Sequence, residues 1–162
     1  MTEYIHWAKK EFDLDRRYFY NPIESRRFFK PFGLWFEVDG DWQRWCEAEN
    51  FRKDEMNVCY QLEFEPFDVL FLKNELDIDR FTHQYERGDL ERNFHMDIDW
   101  PQVAEEYSGI VIAPYCWQRR MANHTMWYYG WDCASGCIWD LSIITRFERI
   151  ERPALSPEER ES

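Results

Sequence analysis

Four stretches of the sequence concentrate side chains with chemical potential. The densest is Trp131-Asp132-Cys133-Ala134-Ser135-Gly136-Cys137, where a carboxylate, two thiols and a hydroxyl sit among aromatic and small residues. Such a set offers a candidate nucleophile. Near the start, His6 lies between Ile5 and Trp7, and a ring N–H placed there suits a ribose hydroxyl. Gly33-Leu34-Trp35-Phe36 precedes Trp42 and Trp45. Gly33 permits close approach of a ligand or of backbone, and indoles on successive elements can sandwich a planar ring. Last comes Trp117-Gln118-Arg119-Arg120, whose guanidinium pair suits a phosphate.

Each stretch also has a plain structural counterpart. His6 serves equally as a satisfied half-buried residue, and the indoles as a strand packed on a helix. The basic pair reads as a solvated loop, and Ser135-Gly136 as a tight turn entering a final strand. A thiol nucleophile is the easiest role to test on paper. The segment resembles the Asp-Cys-Ser-Gly motif of the NlpC/P60 cysteine peptidases, but Ala134 splits it and no histidine follows Cys133. A peptidase thiol needs such a base, so that role is set aside. A small hydrolase pairing Cys133 or Ser135 with His124 lacks an orienting acid at a recognisable spacing.

Composition narrows the classes further. A net charge of −12 argues against a groove tracking nucleic-acid phosphates, which needs clustered cations. It favours a cationic partner, or solubility alone. No run approaches the roughly 18 apolar residues of a membrane helix, and MTEYIHWAKKEF has no signal-peptide core, so a cytoplasmic chain is expected. The five cysteines are odd in number and irregularly spaced, as in a reducing compartment, and no metal site is expected. The largest oddity is the aromatic fraction of 19%, with nine tryptophans, each of whose indole N–H groups wants a partner once buried.

The elements that must position these groups read as one α+β domain over residues 1–150, with a charged tail at 151–162. Strands are expected at Tyr4–Trp7, Pro31–Val38, Tyr60–Glu65, Val69–Leu72, Gly109–Pro114, Met126–Tyr129, Cys137–Trp139 and Ile143–Ile150. Tyr60, Leu62 and Phe64 alternate as an inward face. Helices are expected around Ile23–Phe29, at Asp41–Arg52 capped by Asp39 or Asp41, and at Asp77–Arg87 stopped by Gly88. Another begins at Asp99-Trp100-Pro101-Gln102, with Asp99 as cap and Pro101 in the first turn, and reaches as far as Gly109. With no regular βαβ repeat, a mixed or split, antiparallel-rich sheet with short helices fits best.

The order of these parts resembles the ADP-ribosyltransferases of the His-Tyr-Glu branch: His6 on a first strand, Gly33-Leu34-Trp35-Phe36, a helix with Trp42 and Trp45, then a late strand. The resemblance implies NAD as ligand, with His6 on its ribose and Gly33, Leu34, Trp35, Trp42 and Trp45 around the nicotinamide. It implies catalysis by His6 with Asp132 or Ser135. Trp35 stands where that family has Tyr, and Ser135 where it has its Glu. Lys30–Trp35, Tyr107–Tyr115 and Trp127–Trp139 also resemble a group of small bacteriophage proteins. That likeness implies action on a host component inside a bacterium. The other reading is a non-catalytic acidic protein that inhibits a host protein or sequesters a nucleotide signal.

Overall fold

In the computed structural model, residues 2–21, 29–87, 97–152 and 158 are described. The helix expected around Ile23–Phe29 therefore falls almost wholly outside the described residues, as do Gly88 and most of the tail. The chain forms an α+β domain around one seven-stranded sheet. In chain order the elements are β1 (Tyr4–Ala8), β2 (Leu34–Val38), α1 (Asp41–Ala48), β3 (Val58–Phe64), β4 (Val69–Leu72), α2 (Glu75–Tyr85), α3 (Trp100–Glu106), β5 (Gly109–Ile112), α4 (Trp117–Arg120), β6 (Ser135–Ile138) and β7 (Ile144–Ile150). The strand order is β4-β5-β6-β2-β1-β3-β7. Only β4 and β5 run parallel; every other neighbouring pair is antiparallel.

Strand alternation divides the apolar residues between two layers. On one face Leu34, Phe36 and Val38 pack with Leu62, Val69, Val111 and Ile138. On the other, Ile110, Ile112 and Cys137 meet a helical layer built from Ile78, Phe81, Tyr85, Trp100, Trp127 and Trp131. β5, buried at all four positions, lies between the two. This is what an uninterrupted Ile-Val-Ile run predicts, since a strand covered on both faces needs no polar alternate.

Helix ends follow side-chain capping chemistry. Asn74 caps α2 by accepting the Asp77 N–H at 2.9 Å, so this helix starts two residues before the expected Asp77. Asp99 accepts the Gln102 N–H at 3.3 Å with Pro101 in the first turn of α3, as the sequence predicts. α3 stops at Glu106 rather than at Gly109. α1 departs more. Neither Asp39 nor Asp41 caps it; Gly40 takes the cap position with φ 77°, a left-handed conformation that favours glycine. The capping acceptor is Glu37 from the end of β2, whose Oε2 receives the Gln43 N–H at 2.7 Å. α1 ends at Ala48 rather than Arg52, because Asn50 and Arg52 take positive φ and turn Phe51 back to within 5.3 Å of Trp45.

Two strand expectations are corrected. Met126–Tyr129 belongs to a 3₁₀ stretch, Asn123–Gly130, in which the adjacent Trp127 and Tyr128 are both fully buried. It lies over the sheet in the helical layer rather than joining it. Ser135-Gly136 is no turn but the start of β6, paired with Glu37 and Phe36 of β2.

Candidate functional site

β1 and β2 pair at Tyr4 with Val38 and at Ile5 with Glu37, and there their ladder stops. β1 continues against β3 as far as Ala8, so β2 diverges from it and a fork opens in the sheet. A cleft of about 350 Å³ occupies this fork. Trp7 and Trp35 line it from the two strands, Trp42 from α1, and Trp131, Asp132, Cys133 and Ser135 from the segment entering β6. Lys30 and Arg52 complete the wall with positive charge. The volume lies at the lower end of the ~300–1,000 Å³ typical of ligand sites, room for one heteroaromatic ring with its sugar.

The walls are braced by side-chain contacts. Trp35 meets Trp131 edge-on at 4.8 Å, and the Lys30 ammonium lies 5.4 Å from the Trp35 ring centroid. Trp42 is backed by Trp45, stacked at 5.2 Å and 8°. Asp41 at the start of α1 accepts the Ala134 N–H at 2.7 Å, which ties the 131–135 segment to the helix. Arg120 pairs with Asp132 at 3.3 Å, and the Tyr115 hydroxyl donates to the Trp131 carbonyl.

Of the residues singled out from the sequence, His6, Trp35, Trp42, Asp132, Cys133 and Ser135 meet here. Three do not. Gly33 packs on β6: a Cβ there would lie 2.6 Å from the Ile138 carbonyl, so its close approach serves backbone and not a ligand. Leu34 belongs to the apolar layer on the opposite face, as strand alternation requires of the neighbour of Trp35. Trp45 supports Trp42 from behind and does not line the cleft.

His6 borders the fork, but its ring is turned from the indoles. The Nδ1–H donates to the Trp35 carbonyl at 2.5 Å, which fixes the tautomer and leaves Nε2 as the acceptor. The ring packs against Phe12 at 5.6 Å and Phe147 at 6.2 Å, on the sheet face opposite Trp7 and Trp35. Burial lowers its pKa, against the opposing effect of that hydrogen bond. His6 thus lines the cleft while its Nδ1–H ties β1 to β2 where their ladder has ended.

The sequence reading missed Glu37, which lies 2% exposed in the cleft wall. Its Oε1 accepts the Trp7 indole N–H at 3.1 Å while Oε2 caps α1. Burial raises its pKa and these two hydrogen bonds oppose the rise. The available signal was a carboxylate on the Trp35 side of β2, a few residues ahead of a helix whose cap is glycine.

The thiol and guanidinium readings also resolve. Burial, with Asp41, Glu37 and Asp132 nearby, pushes the Cys133 thiol well up, away from a reactive thiolate. Ser135 Oγ donates to the Cys133 carbonyl at 3.1 Å. His124 bonds Asp79 at 2.9 Å, which also takes Arg119 through two contacts of 2.7 and 2.9 Å. The basic pair, read as a solvated loop or a phosphate site, is thus committed to Asp79 and Asp132.

The fold and cleft define an α+β domain with an indole-walled pocket. No family model matches the chain, and no curated protein or solved structure is detectably similar to it. No described helix is long and apolar enough to cross a membrane.

Proposed function

We propose that the fork between β1 and β2 binds one planar heteroaromatic ring with its sugar, as in NAD or a related nucleotide. The observation that carries this reading is the meeting of Trp35, Trp42 and Trp131, from three distant segments, around a single cleft with Lys30 and Arg52 in its wall. Indole faces bind any base through stacking, worth ~1–3 kcal/mol per ring. The two cations suit a phosphate attached to that sugar.

ADP-ribosyl transfer onto a host component of a phage-infected cell is the reaction class that the sequence resemblance suggests for such a site. It requires a carboxylate beside the glycosidic carbon to stabilise the sugar cation as nicotinamide leaves. Glu37 and Asp132 are the cleft's carboxylates. The first is occupied on both oxygens and the second is held by Arg120. Binding without turnover is accordingly the form of the proposal favoured by the geometry. Incubating the protein with NAD and bacterial lysate tests the distinction. Saturable binding without released nicotinamide supports a nucleotide-sequestering protein, and stoichiometric excess of released nicotinamide supports the transferase. Absence of NAD or mononucleotide binding removes both.

A second reading, an acidic protein that docks on a host protein, draws on one patch. Trp117, Met121 and Tyr129 are 65%, 69% and 49% exposed, and Arg120 lies over the rings of both Trp117 and Tyr129. Aromatic and Arg side chains of this kind anchor protein interfaces.

A further inference from the structure

At one end of the sheet β4, β5 and β2 finish while β6 and β1 begin, so five strands meet there. Extending their ladders by one residue sets Lys73, Ala113, Ala134, Val38 and Tyr4 side by side on one face. The Ala113 N–H donates to the Leu72 carbonyl at 3.2 Å and the Val38 N–H to the Ala134 carbonyl at 3.1 Å, which holds the row in place. The row is low in its middle, where the two alanines stand, and high at its ends. A recess of about 770 Å³ lies over it and shares no lining residue with the fork. Val38, Val111, Ala113 and Ala134 floor it, between the half-buried rings of Tyr4 and Phe71. Tyr115, edge-on to Trp117 at 4.6 Å, closes one side. Leu14, Tyr20 and Leu141 pack with the same apolar layer but do not line the recess.

The charged groups around this recess are Asp39, Asp41, Arg44 and Lys73. Asp39 accepts the Glu3 N–H at 2.8 Å, and Asp41 accepts the Ala134 N–H and pairs with Arg44 at 3.1 Å. Arg44 also donates to the Asp39 carbonyl at 3.0 Å. Lys73 is exposed, and its ammonium alone among the four has no partner among the described residues. We propose that the recess is a second binding site, for a monocarboxylate with an apolar acyl body. The head group pairs with Lys73 and the chain lies along the alanine floor. One unpaired ammonium on a flexible stem matches one negative charge, whereas a phosphate calls for the bidentate guanidinium that Asp41 already holds. The floor strands β5, β6, β2 and β1 lie inside the sheet, their main-chain groups facing neighbours on both sides. An extended peptide finds no free strand edge over that floor, while an acyl chain, polar only at its end, needs none. This site does not depend on the nucleotide reading of the fork.

Octanoate is the probe, with octanol and hexanoate for comparison. Titration into isotope-labelled wild-type protein, followed through alanine and valine methyl resonances, should show one saturable octanoate site that shifts Ala113, Ala134 and Val38. Octanol should bind about fivefold more weakly, and Lys73→Gln should remove that difference. Hexanoate, two methylenes shorter, should bind about tenfold more weakly. Ala113→Leu, which fills the floor, should abolish octanoate binding. Trp35→Ala should leave it unchanged, so the two sites stand or fall separately. The inference is overturned if octanoate does not bind, if octanol binds as well as octanoate, or if Ala113→Leu binds like the wild type. Shifts confined to the residues of the fork overturn it too. The wild-type spectra and the exposed Lys73→Gln decide the matter even where Ala113→Leu does not fold.

Discussion

The helical-layer core and the fork are built from the same side chain and treat it differently. Around α2 and α3, Trp127 and Trp139 are buried with their N–H groups matched at 2.8 Å, and their rings pack with Phe81 and Trp100. Around the fork, Trp35 and Trp42 are only partly buried, Trp7 is matched by a carboxylate, and Trp131 is buried without a match among the described residues. Apart from the exposed Trp117, the tryptophans of these two regions differ: one set is satisfied and structural, the other arranged around space. Acceptor geometry separates them, where hydrophobicity does not.

Substitutions that ignore this division should expose it. Trp127→Ala removes a fully buried ring and is expected to cost ~3–5 kcal/mol in denaturant unfolding. Next comes a matched pair of substitutions. Trp127→Phe loses a hydrogen bond that Trp131→Phe never had, so the first should destabilise by about 1 kcal/mol more than the second. Equal costs would show that the Trp131 N–H finds a partner in the folded chain and would erase the contrast.

Glu37 joins the regions and carries a pH signature. Glu37→Ala leaves the Trp7 indole and the Gln43 amide without acceptors, an expected loss of ~2–3 kcal/mol. Because burial raises its folded-state pKa, the folded protein holds this proton more tightly than the unfolded chain. Wild-type stability relative to Glu37→Gln should thus increase as pH falls from neutrality towards the ordinary carboxylate value of 4.5. His6 acts with the opposite slope in its own range. Its folded pKa is lowered, so protonation favours unfolding, and stability should fall as pH drops below 6.5. His6→Gln, which retains a donor for the Trp35 carbonyl, should flatten that part of the profile in thermal unfolding at a series of pH values. The smallest stability effect is expected of Trp42→Ala, under about 1 kcal/mol at its partly buried site, yet it should weaken nucleotide binding about tenfold.

Much of the scaffold was legible because local chemistry agrees with the fold. The strand Val69–Leu72 forms with the expected bounds, Ile78, Phe81 and Tyr85 are buried along α2, and Asp99 caps α3. Met126–Tyr129 misled because β-forming aromatics suit any buried surface, and here tertiary packing overrode strand propensity. Within the cleft, Trp35, Trp42, Asp132 and Ser135 could be read from residue type, but the side of the sheet reached by His6 could not. That depends on strand register, and a shift of one residue reverses every side chain. Glu37, Lys30 and Arg52 were missed for a related reason. Each looks like an ordinary surface charge until the fork brings it beside the indoles.

The central claim is that the fork is a binding site and not a packing defect. Calorimetric titration of nicotinamide mononucleotide and NAD into the wild-type protein and into Trp35→Ala tests it most directly. One saturable site per chain, lost or weakened at least tenfold in the variant while the fold is retained, is the predicted result. No binding in the wild type, or binding that Trp35→Ala leaves unchanged, would contradict it.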